Sequence, residues 1–125
     1  MCKEIKEYDE KDRLIHYKDC DYETWTEYSD NGCIYHVKKY NGYEYWNHHD
    51  NHGRVIYGKD SYGYEQWNEF DEKGNLIHFR DSDEKESWYE YDENNNRIHS
   101  RNNNGFEEWW EYNKNNKMKL YSHNR

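Results

Sequence analysis

An indole recurs every 21 residues, and that spacing limits what this chain can fold into more than any other feature. Trp25, Trp46, Trp67, Trp88 and Trp109 keep the interval without exception. Three positions after each stands Tyr28, His49, Phe70, Tyr91 or Tyr112. A polar turn and a short apolar pair, ending in Ile15, Tyr35, Ile56, Ile77 or Ile98, complete the unit. The fullest copy is GYEQWNEFDEKGNLI at residues 63–77. A fixed period of this size marks a repeat array, in which each unit packs on its sequence neighbours.

Local chemistry divides each unit into strand, turn, strand and turn. Ile5 occupies the tryptophan phase of the first copy, so residues 3–8 are the first expected strand. The turns whose fourth position is Gly32, Gly53 or Gly74, D-x-x-G in the latter two and Ser29-Asp30-Asn31-Gly32 in the first, suit a type I turn closed by a residue at positive φ. Asp12, Asn95 and Asn116 replace the glycine elsewhere, and Asp and Asn tolerate the left-handed region better than most residues. Strands of the second type are expected at 13–18, 33–38, 54–59, 75–80, 97–101 and 117–122. A second turn follows, clearest at 60–63 and 102–105, and the tryptophan strands return at 22–28, 43–49, 64–70, 85–91 and 106–112. Proline is absent, and no segment has a helical period with caps. The expected fold is all-β: one domain, 1–125, of about six β-hairpins in an extended, curved antiparallel sheet. Its units are approximately 1–25, 26–46, 47–67, 68–88, 89–109 and 110–125.

Composition fits such a sheet. Only 32% of residues are hydrophobic and 36% are charged, values that suggest disorder when apolar residues are scattered. Here 19% are aromatic and they hold fixed phases, and a Tyr or Trp covers apolar area while keeping a polar tip in water. The net charge of −9 argues against nucleic acid and favours a basic partner. Residues 1–7 hold no apolar core of the signal-peptide kind and no run reaches membrane length, so no membrane partner is expected. Cys2, Cys20 and Cys33 are odd in number without metal-type spacing, which points to a reducing, bacterial cytoplasm.

Strand alternation places Trp67 on one face with Glu65 and Glu69, and repeats the triplet as Glu86/Trp88/Glu90 and Glu107/Trp109/Glu111. Counting across four-residue turns sets Ile56 opposite Trp67 and Ile77 opposite Trp88. That register sends Lys38, Lys59, Arg80 and Arg101 to the other face, leaving an acidic, tryptophan-bearing face unneutralised. Such a face suits a Lys/Arg-rich protein through charge steering and cation–π contact. His16, His36, His78 and His99 share one repeat phase and are expected to form a cross-strand stacking ladder. His48, His49, His52 and Asp50 do not share a face, so neither a metal nor any other cofactor is expected, and nothing points to an enzyme.

The segments Phe70-Asp71-Glu72-Lys73-Gly74-Asn75 and Tyr91-Asp92-Glu93-Asn94-Asn95-Asn96 resemble the YD repeats of RHS-type bacterial toxin proteins and are similar to MORN-type repeats. YD repeats lack the constant Glu-x-Trp-x-Glu, and MORN units hold more glycine. The resemblance implies long antiparallel sheets of hairpins. Small acidic proteins of this look also resemble immunity proteins of polymorphic-toxin and contact-dependent inhibition systems. That implies an antitoxin binding a cognate toxin, expected to be a basic nuclease, with Glu65, Trp67, Glu69, Glu86, Trp88, Glu90, Glu107, Trp109 and Glu111 as contacts. The alternatives are a glycan- or cell-wall-binding module, since choline-binding repeats share the aromatic hairpin, and a structural scaffold.

Overall fold

A computed structural model describes residues 2–124. Twelve strands follow one another in the order of the chain. They are β1 (Ile5–Tyr8), β2 (Leu14–Lys18), β3 (Glu23–Tyr28), β4 (Ile34–Lys39), β5 (Glu44–His49), β6 (Val55–Asp60), β7 (Glu65–Phe70), β8 (Leu76–Asp81), β9 (Glu86–Tyr91), β10 (Arg97–Asn102), β11 (Glu107–Tyr112) and β12 (Met118–His123). The all-β hairpin array expected from the 21-residue period is therefore present. Two compact units divide it, Met1–Glu65 and Gln66–Arg125. In the first, β1 to β6 pair antiparallel in succession. In the second, β7 to β12 do the same.

The turns are built as the D-x-x-G pattern implies. In the turn after β7, one carboxylate oxygen of Asp71 accepts the backbone N–H groups of Lys73 and Asn75, each at 2.9 Å. Its other oxygen accepts the Asn75 side-chain amide at 3.1 Å. Asp9 and Asp50 hold Arg13 and Arg54 in the same way, each at 2.7 Å to the guanidinium Nε. These donors favour the ionised carboxylate, and the backbone N–H of the fifth turn residue contributes most to lowering the pKa of Asp9, Asp50, Asp71 and Asp92. The turn ends at positive φ, on glycine at Gly32, Gly53 and Gly74 and on Asp12, Asn95 and Asn116 where glycine is missing. Glu84 also adopts positive φ, a position its residue type does not advertise.

Two one-residue irregularities set the register, and both overturn the sequence count. The turn after β8 closes with Asp81 N–H donating to the Lys85 carbonyl, so His78 faces Trp88. The residue at positive φ is an extra one, which shifts the count by one. Ile77 does not oppose Trp88. It is itself the bulged residue of its strand, lying between Leu76, which faces Phe70, and His78, which faces Glu69. Ile15, Tyr35 and Ile98 occupy the same bulge, as does Ile56 between Val55 and Tyr57. A bulge leaves its residue unpaired and increases the local twist.

Cys2 and Cys20 form a disulfide, contrary to the expectation of free thiols, while Cys33 is unpaired. Antiparallel pairing of Ile5 with Lys18 carries the chain before β1 alongside the turn after β2, which is how cysteines 18 residues apart meet. The apolar interior is thin. Among the described residues, Val37 is the one buried hydrophobic side chain.

Backbone strain at the turns gives a prediction of opposite signs. Glu84 holds a left-handed conformation that costs a non-glycine residue about 1–2 kcal/mol, so Glu84→Gly is expected to stabilise the protein by about 1 kcal/mol. Gly105→Ala, at φ 85° in open space, is expected to destabilise it by a similar amount. Urea denaturation midpoints of the two variants should move in opposite directions; a shift of the same sign would refute the assignment.

Candidate functional site

The double shift in register gathers four residue types onto one face. In the first unit Glu7, His16, Trp25 and Lys38 follow one another across β1 to β4, and Glu27, His36, Trp46 and Lys59 across β3 to β6. In the second unit Glu69, His78, Trp88 and Arg101 cross β7 to β10. The histidines do form a stacking ladder, each against an indole. His16 lies on Trp25, His36 on Trp46, His78 on Trp88 and His99 on Trp109, with centroids 4.9–5.5 Å apart and planes within 21° of parallel.

Each imidazole is held by two carboxylates. Nδ1 of His78 lies 2.9 Å from Glu69 and its Nε2 lies 2.6 Å from Glu86. His99 joins Glu90 and Glu107 at 2.9 and 2.8 Å, and His16 joins Glu7 and Glu23 at 2.6 and 2.7 Å. His36 joins Glu27 and Glu44 at 2.6 and 3.0 Å. An imidazole with an acceptor at both nitrogens is best satisfied when protonated. The pKa of His16, of His78 and of His99 is accordingly raised, chiefly by the hydrogen bonds of Glu7, Glu69 and Glu107 respectively.

The cations are on this face, not the other. Lys38, Lys59, Arg80 and Arg101 stand directly opposite Trp25, Trp46, Trp67 and Trp88. They lie over those indoles at 5.7, 5.2, 4.3 and 4.2 Å from the ring centroid. The unneutralised acidic face expected from the sequence is thus corrected: most of its carboxylates already meet a cation or an imidazole of the chain itself.

The candidate contacts now separate into two files. Glu86 and Glu107 form an inner file; they face Arg80 and Arg101, accept from the histidines, and are 30% and 33% exposed. Glu69 and Glu90 form an outer file and remain 67% exposed although each touches a histidine. Glu65 accepts the Tyr57 hydroxyl, and Tyr57 stands where other copies have histidine. Trp67 carries Arg80, Trp88 lies between His78 and Arg101, and Trp109 lies on His99. Glu111 faces Leu120 and so has no histidine across from it. Sequence reasoning missed the histidines and cations as members of this face, because alternation alone does not reveal a bulge.

Comparison with known proteins bears on the fold alone. No protein family description matches the chain, and no curated protein matches it. Solved structures do. The crystal structure of TcdB2-TccC3-Cdc42 matches with a TM-score of 0.76 at 16% identity over 92% of this chain, and that of TcdB2-TccC3 with 0.71 at 16% over 87%. The Photorhabdus luminescens Tc holotoxin pore carrying the TccC3-D651A mutation matches with 0.66 at 13% over 96%. This chain spans 7%, 6% and 9% of those chains. The shared feature is the sheet of β-hairpin repeats, which fits an RHS-like repeat.

The histidine ladder predicts an unusual pH profile. A raised folded-state pKa means that the folded chain binds protons the unfolded chain does not. The stability contributed by His16, His78 and His99 is full below the ordinary histidine value of 6.5 and is lost as pH rises through the raised values. The turn aspartates act oppositely, their contribution being lost as pH falls below the ordinary 3.8. Melting temperature is expected to climb from about pH 8.5 to about pH 6 and to fall below about pH 4, with a shallower upper slope in His78→Gln. A profile flat between pH 6 and 8.5 would contradict the ladder's role.

Proposed function

We propose that this chain is a non-catalytic, protein-binding repeat module acting as an immunity protein, and that it captures a basic toxin domain, of nuclease type, through the outer carboxylates of the tryptophan face. The observation that carries this reading is the exposure of Glu69 and Glu90 on a chain of net charge −9. A carboxylate that keeps two thirds of its surface in water beside an aromatic file can steer and then hold a basic partner. The inner glutamates serve the fold, so the docking contribution shifts from Glu65, Glu86 and Glu107 to the outer file. The disulfide between Cys2 and Cys20 fits an oxidising compartment better than the cytoplasm expected from cysteine count.

A second reading is that the chain is a repeat scaffold of the kind found in large toxin assemblies. The likeness to the TcdB2-TccC3 sheet favours it. The two readings differ in whether a free toxin domain is bound.

Association kinetics with a basic toxin domain encoded beside the gene would separate them. Glu69→Gln with Glu90→Gln keeps the hydrogen-bond acceptors and removes charge, so the fold should persist. The double variant is expected to associate roughly tenfold more slowly at low salt, with dissociation little changed. Wild-type association that ignores salt, or a variant with the wild-type rate, would remove this face from the function.

A further inference from the structure

The last copy of the repeat lacks its cation. Trp25, Trp46, Trp67 and Trp88 each have a lysine or arginine directly across the strand pair and over the ring. At Trp109 the same register position is Ser122, whose side chain is too short to reach over an indole. The histidine position opposite Glu111 is Leu120. Trp109 is stacked on His99 and is 41% exposed, the most of the five repeat tryptophans. Among the described residues, no cation lies over this indole and no ion pair involves Glu111. On the side of β9 and β10 is an open hollow of about 730 Å³, bordered by Glu90, Asp92, Ile98, His99 and residues 109–112, whereas the cation position at Ser122 lies across the strand pair on β12. Its wall holds no lysine or arginine.

We propose that Trp109 is the anchor of an interaction surface that takes an arginine or lysine side chain from a partner protein, seated over the indole where the other copies place their own. The four occupied copies supply the template for the geometry, with guanidinium or ammonium groups 4.2–5.7 Å from the ring centroid. Glu107 and Glu111 flank Trp109 on its own strand and same face; Glu107 is engaged by His99 and faces Arg101, so Glu111 is the carboxylate left to meet the incoming charge. Arginine is favoured over lysine because its planar guanidinium stacks on an indole and forks toward a carboxylate. This copy therefore pairs an indole that carries no cation with one uncompensated glutamate, Glu111. The inference rests on the reading above for the partner being a basic protein; the vacant cation position over Trp109 does not depend on it.

The test follows the indole N–H signals of the ¹⁵N-labelled protein during titration with the peptide Ac-Gly-Arg-Gly-Arg-Gly-NH₂ and with its citrulline counterpart. The arginine peptide is expected to shift Trp109 selectively and the uncharged peptide to leave it unmoved. Ser122→Arg should fill the position from within, weaken peptide binding roughly tenfold and leave the Trp88 signal in place. Equal shifts at every indole, no shift at Trp109, or undiminished binding by Ser122→Arg would overturn the proposal. A Trp109 shift that depends on protein concentration without peptide would also overturn it, by making a second copy the occupant. Capture of a toxin that is unaffected by Ser122→Arg would overturn this assignment alone, while peptide binding at Trp109 without toxin capture would support it and count against the immunity reading.

Discussion

Everything on the tryptophan face depends on an imidazole lying flat on an indole with a carboxylate at each ring nitrogen. Stacking orients the histidine, and the two carboxylates favour the charged form of His16, His78 and His99; a charged imidazole in turn favours contact with the indole's electron-rich face. On the indole's next strand stands a lysine or an arginine, so in complete copies the ring sits between an imidazole and a cation. Alternating cations and carboxylates across successive strands lets a chain with 36% charged residues fold without burying unpaired charge.

That arrangement exists only because each hairpin carries two register corrections. Without the residue at positive φ, His78 would move off Trp88. Without the Ile77 bulge, Arg80 would not oppose Trp67. The bulged isoleucines and Tyr35 are therefore register pins. The apolar pair that looks in the sequence like a packing partner for tryptophan serves to place its neighbour, the histidine, there instead.

The sequence made the architecture legible and the face only half so. Strand positions follow from the spacing of the tryptophans and from the D-x-x-G turns, and the observed ends fall within about two residues of those expected. The stacking ladder was also foreseeable, since four histidines share a phase. What alternation cannot reveal is the parity change at a bulge, because Ile77 reads as an ordinary strand residue. Together with the extra turn residue at positive φ, that bulge puts Lys38, Lys59, Arg80 and Arg101 on the tryptophan face and turns an acidic surface into a largely compensated one. Cys2 and Cys20 were likewise illegible by spacing, since only the pairing of β1 with β2 brings them together. Where the pattern breaks, at Ser122 and Leu120, the departure is readable in retrospect as a missing cation and a missing histidine.

The scarcity of buried aliphatic side chains has a thermal consequence. The heat capacity change of unfolding comes mainly from newly hydrated apolar surface, and exposure of polar surface offsets it. With Val37 the one hydrophobic residue buried among those described, and the strands joined by polar and half-buried ring contacts, that change is expected to be modest for a chain of this length. A small heat capacity change flattens the dependence of folding free energy on temperature. Such a sheet keeps much the same margin of stability from cold to warm and has little tendency to come apart on chilling.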